Sequence, residues 1–404
     1  MTSQQPSGTP MQLSEKILRS ILSRESFFIS DIARETDTSL TTAIKYLNRM
    51  IQDGYVVPLD KPSGQGKGRR SVRYGVNPGC AYFVGVDVQN FGLSIGLMNF
   101  SGEIIRSTTD SSFRFENTFG ALEYVCTSVL RFIDGLAPDI DKSRIATVCI
   151  ALSGRVNTLR GTSASIFAFE NLGDLSLADF FTERLGYPVI IENDTKTKAW
   201  GEYTAGLSKR FSNLLYVNIS WGLGLCIIID GKIYRGMNGF SGELGHIHAF
   251  DNNVMCHCGK KGCLETEVSG RAVARILTGH ILDGENSILS PVIAAGKEIT
   301  MDDIIRALDQ EDPLTQEIID TTGQKLGEQI AMLINLFNPE AVVIGGSMVC
   351  TEVNYLMYSL KISINKYALK IMSRGVEILT SRLRDKAGIT GACMLARQHA
   401  FKDL

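Results

Sequence analysis

No apolar run in this chain of 404 residues is long enough to cross a bilayer. The stretch from Cys226 to Ile229 falls far short of the roughly 20 residues a spanning helix needs. Residues 1–10 are polar and hold no apolar signal-peptide stretch, so a cytoplasmic chain with no membrane partner is expected. Charge of one sign is also missing, because 41 basic and 43 acidic residues leave a formal net charge of -2. That balance hides one local excess. Lys61, Lys67, Arg69, Arg70 and Arg73 fall in a short stretch with no acidic residue between them, so any nucleic-acid affinity should reside there. With a hydrophobic fraction of 44 %, disorder is excluded and two to four folded units with a large core are expected. The nine cysteines are scattered except for Cys256, Cys258 and Cys263, which sit among His246, His248 and His257. That clustering argues for a metal rather than disulfides.

What is present at the front is a short helical module. Leu13, Ile17, Leu18, Ile21 and Leu22 recur at helical spacing and predict an amphipathic helix. A second, short helix is expected after Ser30 with Ile32 and Ala33 inward. Ser39 then stands where a third helix needs its cap. Leu40, Ile44, Leu47 and Ile51 are expected to line the buried side of that helix, leaving Thr41, Thr42, Lys45, Asn48 and Arg49 outside until Gly54 ends it. Small hydroxyls and cations on an outward face suit base edges and phosphates, whereas an ordinary solvated helix more often carries glutamates there. A strand from Tyr55 to Pro58, a basic loop from Ser63 to Arg70 and a returning strand from Ser71 to Val76 read as a wing that sets Lys67, Arg69 and Arg70 near phosphates. We therefore expect a tail over residues 1–10 and, over 11–78, an α+β module that resembles the winged helix-turn-helix of bacterial repressors. Operator DNA would be its partner.

Beyond residue 79 one grammar occurs twice. A strand through Gly85, Val86, Asp87 and Val88 is followed by an alternating strand through Leu93, Ile95 and Leu97 and a Ser101-Gly102 turn. Later, Leu215, Val217 and Ile219 form a strand, Leu223 to Ile229 another, and Asp230-Gly231 turns the chain back through Ile233. Two such units predict a duplicated α/β architecture with a cleft between lobes, where a small ligand binds.

Several strings here resemble the ROK family of repressors, open reading frames and kinases. They are Ser241 to His246, Cys256 to Thr266 and Ile191 to Asp194, with weaker support from Asn338 to Glu340 leading into Val342 to Gly346. The resemblance runs from about Tyr82 to the C-terminus. It implies an actin-like, ribonuclease-H-like sugar-kinase fold over residues 79–404, with one lobe of about 79–195 plus 388–404 and a second of about 196–387. The front module points to the repressor branch, with its N-acetylglucosamine- and xylose-responsive members.

The resemblance also assigns roles. His246 is the position that joins Cys256, Cys258 and Cys263 in a structural Cys3His zinc site, with His257 and His248 as competitors for the fourth place. Asn193, Asp194, Glu243, His246 and Glu265 are expected to hold a monosaccharide or sugar phosphate, since sugar hydroxyls both donate and accept. Asp194 would be the catalytic base if the protein were a kinase. Where the family commonly has an asparagine two residues beyond that aspartate, this chain has Lys196, a cation that would favour an acidic ligand or pair with a neighbouring carboxylate. The phosphate turns depart further. Kinases of the family follow the first strand's aspartate with a Gly-Gly-Thr type turn and have Gly-Thr-Gly at the second. Here Gln89, Asn90 and Phe91 follow, and Ser220, Trp221 and Gly222 stand at the second. No catalysis and no ATP cofactor are therefore expected, and Phe91 and Trp221 are expected to fill the space of the phosphates. The function expected is a sugar-responsive DNA-binding repressor, a homodimer or dimer of dimers on two half-sites. The alternative is an ATP-dependent, glucokinase-like sugar kinase carrying a DNA-binding appendage.

Overall fold

The computed structural model describes residues 13–22, 24, 26–59, 72–165, 176–349 and 355–401. The tail over 1–10, Lys61, the loop residues Lys67, Arg69 and Arg70, and residues 402–404 lie outside them.

Three helices open the chain: α1 (Leu13–Leu22), α2 (Ile29–Glu35) and α3 (Leu40–Gln52). With them goes a small antiparallel sheet in the order β1-β3-β2, from β1 (Phe27–Phe28), β2 (Val56–Pro58) and β3 (Arg73–Val76). Ser39 caps α3 as expected, its Oγ accepting the Thr42 backbone N–H at 3.1 Å. The buried face of α3 is a correction. Ala43 and Leu47 are buried and Tyr46, Met50 and Ile51 flank them, whereas Leu40 is 50 % and Ile44 40 % exposed. α3 packs against α1 and α2 with small Ala43 fully buried, which leaves Leu40 and Ile44 on the outer face with Thr41, Lys45 and Asn48.

The next unit runs β4 (Tyr82–Gln89), β5 (Gly92–Asn99), β6 (Ile104–Asp110), α4 (Phe119–Asp134), β7 (Ile145–Leu152), the short pair β8 (Val156–Asn157) and β9 (Thr162–Ser163), α5 (Leu177–Leu185), β10 (Val189–Asn193) and α6 (Asp194–Thr204). Its sheet has the order β10-β7-β4-β5-β6. The second unit brings β11 (Leu214–Ile219), β12 (Leu223–Ile229) and β13 (Lys232–Ile233). Helices α7 (Glu265–Val268), α8 (Gly270–Leu282), α9 (Ser290–Ala294), α10 (Met301–Asp309) and α11 (Pro313–Phe337) follow. Then come β14 (Ala341–Gly345), α12 (Tyr355–Tyr367), α13 (Lys370–Ser373), β15 (Glu377–Thr380) and α14 (Ala387–Ala400). Its sheet has the order β13-β12-β11-β14-β15. In both sheets an antiparallel three-stranded meander is extended by two strands parallel to its first strand, so the duplication read from the strand grammar is present. Each five-stranded sheet has its own apolar core.

Helices α6 and α14 lie against each other, and α14 also packs on β4, β5 and β7. The crossing is close because Gly201 of α6 and Gly391 of α14 face each other, and a Cβ on either would collide with the partner's backbone. The lobe boundary expected after residue 195 falls inside α6, which touches β10 of one sheet and β11 and β12 of the other. At the far end of α14, Phe401 meets Tyr55 and Phe100, ring centroids 5.5 and 5.2 Å away, so the front module docks on this helix. No helix among the described residues is long and apolar enough to cross a membrane.

Candidate functional site

β4, β7 and β10 run parallel, so Asp87, the turn after β7 and Asn193 emerge at one edge of the first sheet, the carboxyl ends where open α/β sheets place ligands. Asn193 caps α6: its Oδ1 accepts the Lys196 backbone N–H at 3.0 Å, and its Nδ2 donates to the Gly154 carbonyl at 2.9 Å. Asp194 occupies the first turn, where the helix dipole favours a carboxylate. Its Oδ1 takes the Thr195 N–H at 2.8 Å and its Oδ2 the Ser153 hydroxyl at 3.2 Å.

The other half of the site comes from the long loop between β13 and α7. Glu243 is half-exposed and pairs with Arg155 Nε at 3.3 Å, and its Oε2 lies 3.8 Å from His246 Nε2. His246 and Glu265 present ligand atoms within 4.8 Å of each other. Asn193, Asp194 and Glu243 thus each contact the Ser153-Gly154-Arg155 turn, with His246 beside Glu243 and Glu265 near His246. Sequence reasoning missed that turn. Its signal was present, since Ser153, Gly154 and Arg155 directly follow the continuous apolar strand Ile145–Leu152. Glu265 is the least free of the five. It is buried, with Oε2 accepting the Leu223 N–H at 3.0 Å and Oε1 lying 3.1 Å from His257 Nδ1. Burial works against its ionisation, but the His257 and Leu223 bonds outweigh that and leave the carboxyl below its ordinary value.

Lys196 is buried and donates to the Gly239 carbonyl, while the neighbouring Glu192 is paired with Arg235. Of the roles expected for Lys196, a direct carboxylate bond is not made among the described residues; the ammonium ties α6 to the loop that carries Glu243. Burial pulls its pKa down, against Glu192.

The thiols form a compact cluster. Cys258 and Cys263 Sγ are 3.6 Å apart, Cys256 Sγ lies 3.6 Å from His246 Nδ1, and all four donors fall within 4.8 Å of one another. Ligands at zinc–sulfur bond length on a tetrahedron stand about 3.8 Å apart, so this donor set fits a four-coordinate ion. Gly262, with φ 73°, turns the chain where a Cβ would strike the Phe250 carbonyl. Of the competing histidines, His248 is exposed beside Asp251, and His257 Nδ1 is 3.9 Å from Cys256 Sγ but turned to Glu265. Burial lowers the His246 pKa, opposed by Glu265 and Glu243, which favours the neutral imidazole that a metal requires. A cavity of about 320 Å³ opens beside this cluster, lined by Cys256, His257, Glu265, Arg271 and Arg275 among others.

The ROK family's sequence model matches residues 90–399. This chain belongs to the ROK family. It is 31 % identical to a glucokinase of Halalkalibacterium halodurans over 78 % of this chain and 95 % of that one. It is 29 % identical to a xylose repressor of Caldicellulosiruptor bescii over 93 % of this chain and 92 % of the repressor. A crystal structure of a ROK family transcriptional regulator, described as a homolog of the E. coli MLC protein, superposes with a TM-score of 0.81 at 28 % identity over 96 % of both chains.

This ROK protein carries its two altered turns face to face. Phe91 lies on the β4–β5 hairpin of the first sheet and Trp221 on the β11–β12 hairpin of the second. Their rings meet edge to face with centroids 5.2 Å apart, and the Arg114 guanidinium lies 5.5 Å from the Phe91 ring centre. Neither ring is buried away in its own lobe, since Phe91 is exposed and Trp221 only partly covered by the second core.

Proposed function

We propose that this ROK protein is a sugar-responsive, DNA-binding transcriptional repressor of carbohydrate uptake or metabolism whose kinase-like cleft binds a sugar without transferring phosphate. The front module is read as a winged helix-turn-helix with α3 as its recognition helix. Thr41, Thr42, Lys45, Asn48 and Arg49, joined by exposed Leu40 and Ile44, would enter the major groove, and Lys67, Arg69 and Arg70 would reach phosphates. In the cleft, Asn193, Asp194, Glu243 and His246 would hold the hydroxyls of a monosaccharide or sugar phosphate, with Glu265 bracing the loop. A structural zinc ion on His246, Cys256, Cys258 and Cys263 would fix that loop's shape and, through the second nitrogen of His246, the position of Glu243. Two half-sites call for a homodimer, because one short helix reads too few base pairs.

The observation that carries this reading is the coexistence in one chain of two features. The helix α3 holds no carboxylate on its exposed face, and Phe91 and Trp221, which stand in the two turns that the family resemblance assigns to phosphate, touch each other. The xylose-repressor relative and the regulator structure, both matched over more than nine-tenths of this chain, support it.

Signal transmission has a structural candidate in α14. Near its start Gly388 lies against Asp87 at the cleft, and past its end Phe401 lies against Tyr55 of the front module, about 21 Å away along 14 helical residues. A sugar that prefers one lobe arrangement would move this helix and with it the recognition helix, since only differential affinity shifts such an equilibrium.

The retained Asp194 and the glucokinase relative favour a second reading, a sugar kinase with a DNA-binding appendage. One pair of assays separates the two: a mobility shift on DNA upstream of the protein's own gene with and without sugars, and a coupled assay of sugar-dependent ATP turnover. Salt-dependent DNA binding altered by a sugar, with no turnover, is the expected result. Turnover without specific DNA binding overturns the proposal.

A further inference from the structure

At the carboxyl end of β4, acidic side chains lie close to a single, mostly buried ammonium. Asp87 at the end of β4 is 0 % exposed. Its Oδ2 accepts the Gln89 side-chain amide at 2.7 Å, while its Oδ1 accepts no hydrogen bond from the described residues. Asp194 on α6 lies close enough to act electrostatically on Asp87 and on Lys198, and exposed Asp385, in the turn before α14, acts on Lys198 from the rim. Carboxylates gathered in a low-dielectric pocket repel one another and stay ionised only around a cation.

That cation is on the chain. Lys198 lies one helical turn after Asp194 on the same face of α6, its Nζ 3.9 Å from Asp194 Oδ2 and its side chain only 13 % exposed. Burial opposes its charge, yet Asp87, Asp194 and Asp385 outweigh burial and hold the ammonium above the usual lysine range. Burial raises the Asp87 carboxyl, with Lys198 acting in the opposite sense.

We propose that the Lys198 ammonium is the resident cation between Asp87 and Asp194, with Asp385 at the rim, and that it occupies a latent site for a hard divalent cation. Oxygen donors of this kind select magnesium or manganese over soft metals. A tethered ammonium takes the cation's place and permanently offsets part of the carboxylate charge, so no exchangeable divalent ion is recruited to meet a nucleotide. The inference rests on the non-catalytic reading of the cleft and supplies a physical cause for it besides the aromatic contact at the hairpins.

The test is manganese binding to the full-length, zinc-loaded protein, read by the electron paramagnetic resonance signal of free Mn2+, for wild type, Asp87→Asn, Lys198→Ala, Lys198→Gln and Lys198→Ala combined with Asp87→Asn. Wild type is expected to bind no Mn2+ at this pocket. The single Lys198 variants should each gain one site, at least about tenfold tighter than any residual wild-type binding, and the double variant should lose it. Lys198→Gln keeps the length of the stem and covers the case in which the alanine variant does not fold, with zinc content and thermal melting reporting the fold. The proposal is overturned if wild type binds Mn2+ in a way that Asp87→Asn abolishes, or if a folded Lys198 variant gains no site. Neither result measures DNA binding or ATP turnover, so failure here is distinct from failure of the repressor reading.

Discussion

Phe91 and Trp221 meet edge to face at 5.2 Å, one on the β4–β5 hairpin and one on the β11–β12 hairpin, and so bridge the two five-stranded sheets. A perpendicular aromatic pair contributes about 1 kcal/mol beyond its area. A double-mutant cycle with Phe91→Ala and Trp221→Ala, read by urea unfolding, is expected to give a coupling energy of that size. Additive single effects would show that the rings do not cooperate.

Phe401 and Tyr55 lie at the joint between α14 and the front module. Phe401→Ala should leave operator affinity within about threefold of wild type but abolish most of the sugar response, because the two functions share only this contact in the proposed route. A mobility-shift titration with and without sugar measures both. A variant that keeps the full response shows that the signal travels elsewhere.

Ile44 is 40 % exposed on the outer face of α3, next to Lys45. Lys45→Ala should weaken DNA binding across all sequences and reduce the salt slope by about one, as loss of one phosphate contact does. Ile44→Ala should instead cost about 1 kcal/mol or more on the operator alone, as loss of an apolar contact with a base does. Equal losses on operator and random DNA for both variants would remove Ile44 from sequence readout.

The cluster of His246, Cys256, Cys258 and Cys263 predicts a consequence of metal loss. Cys258→Ser, or treatment with a strong chelator, should lower sugar affinity by about tenfold or more through disorder of the Glu243 loop, while the DNA affinity of the sugar-free protein persists. Thermal shift with sugar and a zinc assay report the outcome. Unchanged sugar affinity in metal-free protein would separate the two sites.

Asp312 caps α11, accepting from Thr315 N and Oγ1 at 3.0 and 2.6 Å, Ile288 N at 2.9 Å and Ser287 Oγ at 3.0 Å. Burial opposes its ionisation, but these four donors outweigh it and leave the carboxyl below its ordinary 3.8. Since the folded value is the lower one, the stabilisation is complete above that ordinary value and is lost as pH falls through the depressed one. Asp312→Ala is expected to cost about 2 kcal/mol at neutral pH, with the difference from wild type shrinking below about pH 4. Melting curves at the two pH values decide it.

The strand grammar of both units, the capping of α3 by Ser39 and the Cys-rich loop were legible because each depends on neighbours within a dozen residues. The face of α3 was not. The stripe of Leu40, Ile44, Leu47 and Ile51 and the stripe of Ala43, Leu47, Met50 and Ile51 both satisfy a 3.6-residue period, and only docking against α1 and α2 chooses between them. Arg155 was missed for a related reason, since it belongs to no local motif and acquires its role from Glu243 on another element, and the nearness of Lys198 to Asp87 likewise comes only from packing.

By itself the sequence determined the elements, their duplication, and the cluster of His246 and three cysteines that could hold a metal, because hydrophobic period, turn chemistry and short-range donor spacing are written along the chain. Only the tertiary structure decided that Phe91 touches Trp221, that Lys198 sits among Asp87, Asp194 and Asp385, and that α14 reaches from the cleft to Tyr55. Those contacts join residues far apart in sequence, and their partners are selected by how the sheets and helices pack, a choice that no local pattern encodes.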